Sequence, residues 1–73
     1  MSIPSREVIE NLRSRFRRGN RVRLDEMDDR HAPPVGTEGT VLCVDDIGSI
    51  HVEWDNGSKL AVVFGKDSCS IIK

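Results

Sequence analysis

The chain has no tyrosine, two phenylalanines and a single tryptophan. So few rings exclude the aromatic groove of a proline-peptide reader and the cage that holds a methylated lysine, since both need several rings converging on one ligand. Cysteine is as sparse: Cys43 and Cys69 form no C-x-x-C pair, and a zinc site would have to draw His31 and His51 in from separate segments. The two thiols are therefore expected as small apolar core groups in a reducing compartment. There is no Gly-rich phosphate loop, no calcium-loop spacing and no nucleophile elbow. The longest wholly apolar run, Leu60 to Phe64, is far short of the roughly 20 residues of a membrane helix. Met1 to Glu10 lacks the apolar stretch of a secretory leader. The expectations are a cytoplasmic protein with no membrane partner, no cofactor and no metal.

Seventy-three residues, 37% hydrophobic and 32% charged, fit one small domain with one core. The chain offers no paired carboxylates and no nucleophile with a base, so it is not expected to be an enzyme. Its charge is lopsided. Residues 1 to 24 carry seven arginines against Glu7 and Glu10, whereas residues 25 to 73 carry four cations against ten acids. Such asymmetry either presents a basic surface to an anionic partner or makes two faces that attract each other.

Ser5 before Arg6-Glu7-Val8-Ile9-Glu10 has the form of a helix start, with a capping hydroxyl and acids in the first turn. Ile9, Leu12 and Phe16 fall on one stripe, which Val8 widens, and Gly19 stops the helix. The helix is expected over about 6 to 17. Arg21-Val22-Arg23-Leu24 then alternates as a half-buried strand does. The polar run Asp25 to Pro34 is a long connection, because Pro33-Pro34 cannot join a ladder. Further strands are expected near 39 to 45, 49 to 55, 58 to 63 and 68 to 72, with turns at Asp45-Asp46-Ile47-Gly48 and Asp55-Asn56-Gly57. Trp54 alternates in phase with Ile50 and Val52, which places it in the core or at its rim; His51 and Glu53 take the polar face. The fold class is mainly β, a small SH3-like five-stranded antiparallel barrel over about 20 to 73 with an N-terminal α-helix, and its otherwise wet apolar face is covered by that helix or by a second copy of the chain.

The pieces Met27-Asp28-Asp29, Ala32-Pro33-Pro34, Val44-Asp45-Asp46-Ile47-Gly48 and Trp54-Asp55-Asn56-Gly57-Ser58, in this order, resemble an uncharacterised family of small bacterial proteins met also in phages and mobile elements. That family is a domain of unknown function, numbered forty-three fourteen. The resemblance implies origin and fold and brings no activity, ligand or site residue. A second resemblance, through Gly36-x-x-Gly39-x-Val41, is to the KOW motif of ribosomal and transcription factors, also SH3-like. Glu38 stands where such motifs often carry a basic residue, which opposes phosphate contact there.

Two surfaces are candidates for function. Arg13, Arg15, Arg17, Arg18, Arg21 and Arg23 could grip phosphates of RNA or DNA, or could pair with acids of the same chain. Met27, Asp28, Asp29, Pro33 and Pro34 form an acidic, partly apolar loop suited to a protein partner. The first expectation is a protein-interaction or accessory module of a bacterial or mobile-element system, and the alternative is a nucleic-acid-binding module that uses the arginine helix.

Overall fold

A computed structural model describes residues 3–73; Met1 and Ser2, the start of the segment read above as no leader, lie outside it. The chain runs through α1 (Arg6–Arg15), β1 (Arg21–Glu26), β2 (Glu38–Val44), β3 (Ser49–Trp54), β4 (Val62–Val63) and β5 (Ser68–Ile71). The strands form one antiparallel sheet in the order β4-β3-β2-β1-β5. The fold is mainly β with one N-terminal helix, as the periodicities required.

Helix α1 begins where the sequence placed it. Ser5 stays extended and its Oγ accepts from Val8 N at 3.2 Å, satisfying one of the amides that a first turn leaves unpaired. Its end comes two residues earlier than expected. Phe16 leaves helical geometry while its N–H still donates to Leu12 O at 2.8 Å. The Asn20 side chain then accepts from Arg17 N at 2.7 Å, in place of another helical carbonyl. Ile9, Leu12 and Phe16 are all buried, and Leu12 and Phe16 join the sheet's core.

The core is the inward half of the alternating strands. Val22 and Leu24 of β1, Val41 and Val44 of β2, and Ile50, Val52 and Trp54 of β3 are buried together with Val62. Each large side chain contributes about 1.5–3 kcal/mol by leaving water. The Trp54 indole donates its Nε1–H to Leu60 O at 2.9 Å, so the one polar atom of the largest buried side chain is satisfied. Gly39 faces this cluster. A Cβ there would lie 2.6 Å from Val52 Cγ1 and 2.8 Å from Trp54 Cε3, so the sheet closes over Trp54 only because position 39 has no side chain.

Three expectations are corrected. The sheet is not closed into a barrel, because β4 and β5 touch without pairing. The fourth strand spans two residues rather than six. Ser58 and Leu60 give their carbonyls to the Trp54 backbone and indole, and that segment leaves the ladder. Finally, Cys43 is exposed rather than in the core, because β2 shifts register against β3 between Val41 and Cys43 and turns the thiol outward.

Candidate functional site

The unpaired edges β4 and β5 leave a seam, and side chains from the C-terminal end of α1 reach it. A groove of about 200 Å³ opens there, floored by Leu12, Phe16, Ile50 and Val62 and walled by Arg15 on the helix and by Phe64, Asp67, Ser68 and Cys69 across the seam. This is smaller than the roughly 300 Å³ at which small-molecule pockets begin. It has room for one or two apolar side chains.

The rim extends the apolar surface. Phe64 is 44% exposed and Ile47 56%. Between them Gly48 is boxed in: a Cβ there would stand 3.0 Å from Pro4 Cγ, 3.6 Å from Phe64 Cβ and 3.7 Å from Leu12 Cδ1. The segment before α1, the β2–β3 turn and Phe64 thus meet at one end of the groove.

The six arginines do not form one surface. Arg13 reaches from the helix to the end of β2, its Nε donating to Val44 O at 3.2 Å and its Nη2 to Asp46 at 2.7 Å. Arg21 binds both carboxylate oxygens of Asp55 as well as Thr40, with Glu38 at 3.6 Å. The Asp55 carboxyl is held below its ordinary range by the hydrogen bond from Arg21, and Arg21 is raised by the same bond. Arg23 lies 3.8 Å from Asp25. These three serve the sheet. Arg15, Arg17 and Arg18 have no ion-pair partner among the described residues, and the Arg15 guanidinium sits 5.2 Å from the centroid of the Phe16 ring.

The loop expected to meet a protein partner is also divided. Met27 packs against the core and Pro33 is buried, so neither is a free contact. Asp28, Asp29 and Pro34 are exposed, yet Asp28 N donates to Asp67 Oδ1 at 3.0 Å and the Asp29 carboxylate accepts from His31 N at 2.7 Å. The loop is held in place by these bonds. Asp67 joins it to the groove wall, its other oxygen accepting from Val63 N at 3.0 Å.

His51, expected in solvent, is half-buried and its Nε2 lies 2.8 Å from Asp45 Oδ2. Asp45 Oδ1 accepts from Ile47 N and Ser49 N, so one carboxylate ties the turn to β3. Partial burial pushes the Asp45 carboxyl up, but the hydrogen bonds from His51, Ser49 and Ile47 outweigh it and leave the group below its ordinary value. Cys69, in the groove wall, is pushed up to about 11, first by burial and then by the charge of Asp25. An inert thiol at this depth is a packing group.

The groove was missed in the sequence. A signal was present in the run Leu60 to Phe64, apolar on both faces of the expected strand and followed at once by Gly65. Such a strand is too short to shelter the final aromatic residue.

Among the described residues no group of His, Cys, Asp and Glu is placed to hold a metal ion, and no helix is long and apolar enough to cross a membrane. Neither the curated proteins nor the solved structures contain a match to the chain. A family model matches residues 5–72, which takes in α1, the whole sheet and the groove together. The chain belongs to DUF4314, a domain of unknown function.

Proposed function

We propose that the protein is a non-enzymatic interaction module whose partner is another protein, and that the groove at the seam is where the partner docks. The observation that carries this reading is the exposed Phe64 beside an apolar floor, left open where the sheet fails to close. A contiguous apolar surface beside a recess costs solubility unless something covers it. The wall groups have structural duties or low reactivity: Asp67 has two backbone amides to bind, and Cys69 is a suppressed thiol.

Five short strands with a long first connection and edges that meet across a seam fit an SH3-like plan opened along one side. We read the module as a cytoplasmic accessory domain of a bacterial or mobile-element system, in keeping with the family resemblance. The nucleic-acid alternative rests on Arg15, Arg17 and Arg18 alone, since Arg13, Arg21 and Arg23 are engaged within the chain. Three phosphate contacts would give a slope of about −2.7 in log K against log[salt] on duplex DNA.

The test is capture from a native-host lysate treated with nuclease, comparing the natural chain with Phe64→Asp. Phe64 is already half in solvent, so the substitution leaves the core intact. Protein recovered by the first and lost by the second is the expected result. Capture that disappears with nuclease, or that Phe64→Asp leaves unchanged, would overturn the proposal.

A further inference from the structure

The two edges beside the groove differ in what they leave open. The outer side of β4 is closed by its own turn: Val63 N–H donates to Asp67 Oδ2 at 3.0 Å, and Val63 O accepts from Lys66 N at 3.1 Å and Asp67 N at 2.8 Å. This is the blocking that natural sheets apply to an edge. Strand β5 has no such device. One side pairs with β1 from Val22↔Ile71 to Glu26↔Ser68, and no backbone group of Ser68–Ile71 finds a partner outside that ladder among the described residues. The open edge borders the groove, because Ser68 and Cys69 form its wall.

Charge distinguishes the two walls. Arg15 stands over Phe16 on the helix side without a carboxylate, and Arg17 and Arg18 follow it, likewise without one. Asp67 stands on the other side with both oxygens already accepting backbone amides. A carboxylate entering the groove is therefore drawn to the helix wall and repelled from the turn, which gives an occupant one preferred orientation.

Resting on the reading of the groove as a docking site, we propose that its occupant is an extended segment of a partner protein that adds a strand to the free edge of β5. The segment carries an apolar side chain for the floor and, two positions along, a carboxylate for Arg15. The spacing follows from the strand, since residues i and i+2 share a face and lie about 7 Å apart. Backbone pairing supplies the affinity and the two side chains supply the choice of sequence. A four-residue edge accepts about 13 Å of extended chain, so binding is weak and reversible unless contacts continue onto Phe64 and Ile47.

Two capped octapeptides test this, each an otherwise all-threonine strand, one with valine and glutamate two positions apart and one with valine and lysine two positions apart, each titrated into the ¹⁵N-labelled full chain. The valine–glutamate peptide is expected to shift the amides of Ser68 to Ile71 and of Arg15, and to slow hydrogen exchange along β5. Arg15→Glu should weaken it roughly tenfold, through loss of one ion pair and gain of a like charge, and reverse the preference toward the lysine peptide. Arg6→Gln, at the far end of α1, should change nothing. Shifts around Phe64 without protection of β5 would overturn strand addition, and equal binding of both peptides would overturn the acidic preference; the docking groove stands in either case. Silence toward both peptides, with capture still lost in Phe64→Asp, overturns this inference and leaves the function. Shifts at β5 that grow with protein concentration alone assign the edge to a second copy, and shifts at Arg15, Arg17 and Arg18 from duplex DNA assign the wall to nucleic acid; both overturn it.

Discussion

Replacing Gly39 by alanine adds one methyl group near the start of β2, on the side that faces the core, and the structure fixes its cost. That methyl would lie 2.6 Å from Val52 Cγ1, 2.8 Å from Trp54 Cε3 and 2.9 Å from Glu53 O. Real carbon contacts begin well beyond these distances. Relief would require Val52 and Trp54, exposed 0% and 1%, to move within a filled core, or the β3 backbone to withdraw and break the Gly39↔Trp54 and Thr40↔Glu53 pairing. Overpacking of this kind costs about 1–3 kcal/mol, and three simultaneous contacts with two rigid groups and a carbonyl put Gly39→Ala near the upper figure. The whole stability of a chain this size is roughly 4–11 kcal/mol, so the loss is a large fraction of it. At about 4–8 °C per kcal/mol, the midpoint should fall by roughly 12–24 °C. Gly57→Ala is the control. Gly57 has φ +93° with nothing within 4 Å of a Cβ, so alanine there meets conformational strain of about 1–2 kcal/mol and no clash. Thermal melts followed by circular dichroism decide the matter. A Gly39→Ala midpoint within a few degrees of the natural chain, or one above that of Gly57→Ala, would refute the packing of Trp54 described here.

The Asp45 carboxyl has a folded pKa below its ordinary 3.8, so its contribution is full above that value and is lost as pH falls through the lower folded value. Asp45→Asn should therefore flatten the acid limb of a stability–pH curve below about pH 4, and an unaltered limb in denaturant melts would contradict the Asp45 cap. The thiols should react in order of exposure. At pH 8, Cys69, with a pKa of about 11, is roughly one part in a thousand thiolate. Mass spectrometry after brief alkylation is expected to find one adduct on Cys43 and a second on Cys69 only after denaturation; the reverse order would move Cys69 out of the groove wall.

What the sequence disclosed and what it withheld divide along one line. Patterns local to a few residues were readable. Ser5 capped the helix, the stripe of Ile9, Leu12 and Phe16 was buried, and Ile50, Val52 and Trp54 faced inward together. Features that depend on partners far along the chain were not. The fourth strand shortened because Leu60 O was claimed by the Trp54 indole. The sheet stayed open where Asp67, from the following turn, took the amide of Val63. The arginine cluster divided because Asp46 and Asp55, more than thirty residues away, each claimed one member. Met27 read as an exposed contact among acids, but the loop folds it against the core. Composition announced an excess of positive charge near one end of the chain, and only the pairing revealed that Arg15 was left to face a groove, with Arg17 and Arg18 likewise without an ion pair among the described residues.

The central claim, that the seam beside Phe64 is the surface at which a protein partner docks, is tested most directly by a photo-crosslinker placed at that position. p-Benzoylphenylalanine in place of Phe64 keeps an aromatic side chain at a site already 44% exposed. Irradiation in the native host should yield a covalent adduct with a different protein, weakened by Arg15→Glu and absent when the same crosslinker replaces Glu53 on the outer face of β3. Adducts formed only with nucleic acid or with a second copy of the chain, or formed equally from position 53, would contradict it.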